Sequence, residues 1–507
     1  MSTHKHIDRI CIIVTVLALI VTVLFMSGES LGIEKIVDED AERNSDSTYF
    51  TDNDLNGDWT GYSVTTITLN GDSAKVSGSG AYYSGDDLTI TQSGYYEISG
   101  RLTDGSIIVD AKSFSKVWIR LNGVALTCSD SACLIVEQAD KVFLTLADGT
   151  ESAFSSGADY SAEAVENGIN ACIYTRDDLT INGSGSLSVS GFYKHGIKAN
   201  DDLVITGGVI TVTEAKDAIH VNDSFRITET ELILTAEDDA IDLDSSGEET
   251  DDEDTGYFYA ESGTVTITSG GDGIHAAGDV KIDGGVLTIA AEDDGIHSDS
   301  AVVINGGSIT VTDCCEGVEA LNVTQTGGEV AITCRDDGLN ANGGAADVEN
   351  TWIKISGGSL SVVNTTGKDA DGIDSNGDIV IEGGIIRISL PGTGGNCALD
   401  CGSENGGVLT VSGGSVVACG SSSMVEGFHE NCAQTAVLWK LDSVSAEGET
   451  FALTDAAGNV LLSFEPECAC SAVSFSCPEL TVGQTYTAAV GEQSIEFTAE
   501  QTSVTLD

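Results

Sequence analysis

The feature that most constrains this chain is a phrase repeated every 22 residues. One copy reads Gly271-Asp272-Gly273-Ile274-His275, then Val280-Lys281-Ile282-Asp283-Gly284-Gly285, then Val286-Leu287-Thr288-Ile289. The next reads Asp294-Gly295-Ile296-His297, then Val302-Val303-Ile304-Asn305-Gly306-Gly307, then Ser308-Ile309-Thr310-Val311. Each copy holds three short apolar runs of period two, separated by Gly, Asp and Asn, so each unit predicts three brief strands and three turns. The position of Gly273 recurs at Gly168, Gly196, Ala218, Ala240, Gly295, Gly317, Gly338, Gly372 and Ala398. An apolar ladder follows directly at Ile169, Ile197, Ile219, Ile241, Ile274, Ile296, Val318, Leu339, Ile373 and Leu399.

One such unit cannot stand alone. Its inward side chains, about six, contribute roughly 1.5–3 kcal/mol each, whereas ordering each backbone residue costs about 1–2 kcal/mol. Stacked units share an apolar interior, and a fixed period with three strands per unit predicts an all-β, right-handed parallel β-helix. Its glycines are expected to absorb positive φ at the corners.

The same reading divides the chain. Ile10 to Met26 is apolar apart from Thr15 and Thr22, so residues 1–27 form either an export signal or a membrane anchor, and residues 10–26 are the only expected membrane attachment. Residues 28–60 read as an acidic tether, 61–430 as the helix, and 431–507 as a C-terminal β cap or small β domain that covers otherwise unpaired strand edges.

A formal charge of −60 argues against nucleic acid and anionic membranes as partners and for bound cations. The acids are placed in two columns. Immediately before the repeat position stand Asp217, Asp239, Asp272, Asp294, Glu316, Asp337 and Asp371, with Asp238, Asp293 and Asp336 one residue earlier. Two residues after it come Lys198, His220, Asp242, His275, His297, Glu319, Asn340, Asp374 and Asp400. Flanked by apolar or small residues, this second column should point outward. Stacked about 4.8 Å apart, its carboxylates repel unless hard cations bridge them, and calcium suits such all-oxygen ligands. The competing role for any one Asp is to accept a backbone N–H at a turn.

Two stretches sharpen the cation reading. Asp242-Leu243-Asp244-Ser245-Ser246-Gly247 with Glu253 has calcium-loop spacing, although Glu237 to Asp254, with eleven acids in eighteen residues, also fits a solvated acidic loop. Asp369-Ala370-Asp371-Gly372-Ile373-Asp374-Ser375-Asn376 is a second oxygen-rich cluster. His275 and His297 on adjacent units offer two ligands to a transition metal. The aromatic residues Tyr257 and Tyr259, with Phe192 and Tyr193, are candidates for stacking on sugar rings. Lys198, His275 and His297 are candidates for contacting the same ligand. Fourteen cysteines form no zinc motif. Several read as small interior hydrophobes, and Cys128/Cys133, Cys314/Cys315, Cys397/Cys401 and Cys468/Cys470 are candidate disulfides.

With these residues in view, the chain resembles a family of secreted bacterial carbohydrate-binding β-helix proteins associated with cellulose, acidic pectin-type sugars and bound calcium. The resemblance runs from about Ile67 to Tyr486. It rests on Gly168-Ile169 with Asp178-Leu179-Thr180-Ile181, His195-Gly196-Ile197-Lys198 with Asp201-Asp202-Leu203, Asp371-Gly372-Ile373-Asp374-Ser375-Asn376-Gly377, Ala398-Leu399-Asp400, Gly420-Ser421-Ser422-Ser423-Met424, and Ser476 to Glu479 with Gly483-Gln484-Thr485-Tyr486. It implies a non-catalytic extracellular polysaccharide binder, of cellulose or a polyuronate, with calcium as cofactor. Two alternatives stay open. One is a calcium-dependent pectate-type lyase using Lys194, Lys198, Lys216 or Lys368 as base, and the other is a surface adhesin for a protein partner.

Overall fold

The structure, a computed structural model, describes residues 49–244, 255–343, 350–364, 370–403 and 406–507. The expected export segment, most of the tether, the loop from Ser245 to Glu253, Lys368 and Asp369 lie outside the described residues. No helix among the described residues is long and apolar enough to cross a membrane.

Asp52–Asp507 forms one compact unit, built on a 41-stranded, mostly parallel sheet with a separate four-stranded sheet. The predicted three-strand period sets the pairing, because each strand bonds to its counterpart in the next repeat. A first column runs Ala171–Thr175, His195–Ala199, Asp217–Val221, Ile241–Leu243 and Ile274–Ala276, and then through Ile296–Ile304, Val318–Gln325, Leu339–Ala341, Ile373–Ser375 and Asp400–Cys401. A second contains Leu203–Ile205, Ser224–Ile227, Tyr257–Ala260 and Val280–Ile282. The third brings Ile210/Val212, Leu232/Leu234, Val265/Ile267, Leu287/Ile289 and Ile309/Val311 into direct register. Alternation puts these side chains on one face, where one continuous apolar cluster extends from Ile67 to Ala436.

The repeat glycine has a steric reason rather than the conformational one expected. A Cβ at Gly273 would sit 2.4 Å from Ile289 Cγ2 and 2.5 Å from the Gly295 carbonyl oxygen, so the absent side chain is what lets successive strands and the third column close up. Positive φ belongs instead to the second glycine of the Gly-Gly pair, as at Gly307 with φ +85°, which turns the chain between columns.

Register also corrects the first repeat. Ile197 pairs with Ile173, not with Ile169. Gly168 instead ends a short helix, Ala162–Glu166, capped by the Ser161 side chain at its start and Asn167 at its end. With φ +76°, Gly168 takes the left-handed position that follows a helix.

Antiparallel pairing finishes both ends of the parallel ladders. Near the N-terminal end, Val64–Gly71 pairs with Ala74–Ser77 and Ala81–Ser84 with Asp87–Ile90. At the other end Ala472–Ser476 runs antiparallel to Ser415–Gly420, and the four-stranded sheet packs Phe451, Leu453, Tyr486 and Phe497 into a second core with Phe475. The tether was expected to reach residue 60, but its last part is packed. Asp54 in the one-turn helix Asp52–Leu55 is 1% exposed, 3.0 Å from Lys141 Nζ, and accepts a hydrogen bond from Thr180 Oγ1 at 2.5 Å. Trp59 is 5% exposed under the Arg120 guanidinium. The thirteen described cysteines are all free thiols, so none of the candidate disulfides is formed. Cys172, Cys334 and Cys419 are interior groups at 0%, 3% and 0% exposure.

Candidate cation and glycan site

The outward column is a real row. Lys198, His220, Asp242, His275, His297, Glu319, Asn340, Asp374 and Asp400 are register partners in sequence along the first column. It is less open than alternation alone suggests, since His220 is 5% and Asn340 9% exposed.

Its middle is held by histidine–carboxylate contacts. His220 Nδ1 lies 2.6 Å from Asp242 Oδ2 and His275 Nδ1 3.5 Å from Asp242 Oδ1. Burial opposes ionisation of Asp242, but its contacts with His220 and His275 outweigh it and hold the carboxyl well below the usual range. His297 Nδ1 lies 3.2 Å from Asp294 Oδ2, and that hydrogen bond, against burial, raises the imidazole to about 9. Asp244 is farther out, 3.9 Å from His220 Nε2. His275 and His297 are therefore largely engaged with acids. Their rings meet edge to face at 5.2 Å, and their ligand atoms group with Asp299.

The column before the repeat glycine caps backbone amides. Asp239 Oδ1 accepts the Asp272 N–H, Asp272 that of Asp294, Asp294 that of Glu316, Asp337 that of Asp371, and Asp371 that of Cys397, at 2.5–3.1 Å. Each cap uses one lone-pair direction of one oxygen, so these carboxylates keep acceptor capacity for a cation. Asp238 is drawn aside into an ion pair with Lys216 Nζ at 2.5 Å. Asp293, next to capping Asp294, is exposed, and its carboxylate groups with Asp294 and Cys315.

The two halves of the row differ in the direction in which their carboxylates are shifted. Toward the C-terminal end, Asp337 and Asp371 are each pushed to about 8, first by burial and then by neighbouring carboxylates. The neighbours are Asp371, Asp374 and Asp336 for the one, and Asp400, Asp374 and Asp336 for the other. Asn376 Nδ2 donates to Asn342 Oδ1 at 3.0 Å. The donor set is all oxygen on adjacent strands, the chemistry that a hard divalent cation takes.

The aromatic candidates divide. Tyr259 is 3% exposed, its hydroxyl donating to Asp283 Oδ2 at 2.9 Å and its ring lying under Lys281 Nζ at 5.2 Å. Although Phe258 and Ala260 fill the core and leave Tyr259 on the outer side of the strand, Lys281 from the next strand covers its ring, so it offers no open face to a sugar. Tyr257, the first residue of that strand, is partly exposed. Phe192 and Tyr193 are 48% and 36% exposed, and Tyr193 stacks on Tyr160 at 4.2 Å. Sequence reading missed a larger ladder, Tyr62, Tyr95, Trp118 and Phe143, whose rings stack at 4.2, 4.8 and 5.3 Å. Beside it a 610 Å³ cleft is lined by Asp58, Glu97, Arg120, Asn122 and Asp148. The aromatic residues at 95, 118 and 143 were a signal, but they lie in repeats too irregular to align without coordinates.

A family model described as "Carbohydrate-binding domain-containing protein" matches residues 84–294 and 290–429. A carbohydrate-binding domain-containing protein of Acetivibrio thermocellus is 44% identical over 119 residues, 23% of this chain and 41% of that one. The chain thus matches about two-fifths of the length of that curated relative. A solved structure titled as the polysaccharide lyase-like protein from C. thermocellum, a gadolinium derivative, is 30% identical with a TM-score of 0.38, covering 50% of this chain and 92% of the other. Since the model matches run from residue 84 to residue 429, well over half of the chain, this protein belongs to the family of carbohydrate-binding domain-containing proteins.

Proposed function

We propose that the chain is a non-catalytic, extracellular binder of polysaccharide, a polyuronate or cellulose, and that its three strand columns close into a right-handed parallel β-helix displaying the outward row as the binding face. Membership of the carbohydrate-binding family supports the ligand class. The observation that carries the finer reading is the clustering of Asp336, Asp337, Asp371, Asp374 and Asp400, in which burial and neighbouring carboxylates raise Asp337 and Asp371. Calcium is the cofactor that this oxygen set would hold, and it would supply the positive charge by which an acidic chain accepts an acidic glycan.

One observation favours the lyase as a second reading. Burial, and then Lys194, depress the Lys198 ammonium below its usual range, the direction that a proton-abstracting lysine needs. Lys216, by contrast, is raised, first by its hydrogen bond to Asp238.

The test is co-sedimentation of the full chain with polygalacturonate and with cellulose, in calcium and in chelator, while absorbance of unsaturated product is followed. Binding without product, lost in chelator, supports the proposal. Product that disappears in Lys198→Met makes the protein a lyase, and absence of binding to both polymers refutes the glycan reading.

A further inference from the structure

His195 is the anomaly of the first column. It stands where other repeats place their capping acid, in register with Asp217, and is 0% exposed. Its Nδ1 lies 2.8 Å from Asp217 Oδ2, while its buried Nε2 has no hydrogen-bond partner. An orphaned buried polar atom loses its hydration without replacement, and one of its recognised explanations is an ion. The surroundings supply the remaining donors. His220 is 5% exposed, and its ring lies 4.5 Å from that of His195. Asp217 is 2% exposed. One ligand atom from each of the three falls within 4.8 Å of the others. Two ligands of a tetrahedral zinc ion stand about 3.3 Å apart at bond lengths near 2.0–2.1 Å, so the pocket needs only a small contraction.

We propose that His195, Asp217 and His220 form a buried site for a zinc-type divalent transition ion, separate from the oxygen cluster at Asp336–Asp400. The donor chemistry selects the ion, since two imidazoles suit zinc, copper or nickel, while calcium takes six to eight oxygens. Asp242, 2.6 Å from His220 Nδ1, is the carboxylate that orients or completes such a site. With Asp217 it balances the charge of a divalent ion. The opposing charge is Lys216, whose Nζ lies 3.5 Å from Asp217 Oδ1, leaving Oδ2 toward the histidine.

The experiment uses the full chain, stripped with chelator and returned to excess calcium so that hard-oxygen sites are filled. Co²⁺ is added and its visible absorption recorded, and Zn²⁺ affinity is then measured against a chromophoric chelator. The proposal expects an intense tetrahedral Co²⁺ band, displaced by about one equivalent of Zn²⁺. It also expects Zn²⁺ affinity at least tenfold weaker in His195→Gln and in Asp217→Asn, each checked by circular dichroism, with His429→Gln, whose Nδ1 accepts the Asn431 N–H, unchanged. Absence of the band in the wild-type chain overturns the site whatever the variants do. So does Zn²⁺ affinity that is unmoved by Asp217→Asn, or weakened equally by His429→Gln.

Discussion

Asp371→Asn separates the two roles that its carboxylate could have. The amide oxygen of Asn can still accept the Cys397 N–H, now held at 2.5 Å, so the cap survives while the charge goes. Without cations the carboxyl is raised from 3.8 to about 8, by burial and then by Asp400, Asp374 and Asp336. An acid whose folded pKa lies above its unfolded value is fully tolerated below pH ~4 and destabilises increasingly as pH rises toward its folded pKa. At about 1.4 kcal/mol per pH unit, the calcium-free fold near pH 7.5 forgoes up to about 5 kcal/mol relative to a neutral isostere. Neighbours share that repulsion, so about 1–2 kcal/mol is the working expectation for one substitution, or a melting midpoint about 1–3 °C higher in chelator. In calcium the order inverts, because the wild-type chain gains about 2.7 kcal/mol at a hundredfold excess over Kd and the variant forfeits much of it. Melting curves of both proteins in chelator and in calcium decide the matter. A variant that is less stable in both conditions would show that Asp371 is only an amide cap.

Four other outcomes follow from the same structure. His297, raised to about 9 by its bond to Asp294, contributes stability that is full below pH 6.5 and is lost as pH rises through 9; His297→Gln should flatten the melting profile across that window. Gly295→Ala would set a Cβ 2.3 Å from Val311 Cγ1 and 2.6 Å from the Gly317 oxygen, and should cost about 1–3 kcal/mol in denaturant unfolding. Lys141→Met removes the cation 3.0 Å from buried Asp54 and should cost about 3–5 kcal/mol, most of it recovered by adding Asp54→Asn. Calcium should raise the melting midpoint more at pH 8 than at pH 5, where the Asp337 and Asp371 carboxyls, pushed to about 8, are protonated.

Register was legible in the sequence because a period of 22 with alternating strands leaves few ways to bury Ile274, Ile296 and their counterparts together, and the pairs found are those expected. What failed depends on contacts that no spacing encodes. Gly168 resembles the repeat glycine only by its neighbour Ile169; the preceding helix, which shifts the register, is five residues long. Tyr259 alternates outward but is covered by Lys281 from the next strand, a cross-strand pairing invisible along one segment. The caps at Asp239, Asp272, Asp294, Asp337 and Asp371 and a cation site use the same residues, so composition cannot divide the two roles. The packing of Asp54 against Lys141 and Thr180 joins residues far apart in the chain, and an acidic stretch gave no sign of it. His195 was hidden because a histidine occupies an acid's place in the repeat.

The central claim, that cations bridge this acidic face to an acidic glycan, is tested most directly by comparing polygalacturonate with its fully methyl-esterified form at matched length. Titration calorimetry of the full chain is run with each polymer, in calcium and in chelator. The account predicts binding to the free acid in calcium alone, weakened at least tenfold by Asp371→Asn, and little binding to the ester in either buffer. Equal affinity for acid and ester, or binding to the acid that persists in chelator, would contradict it.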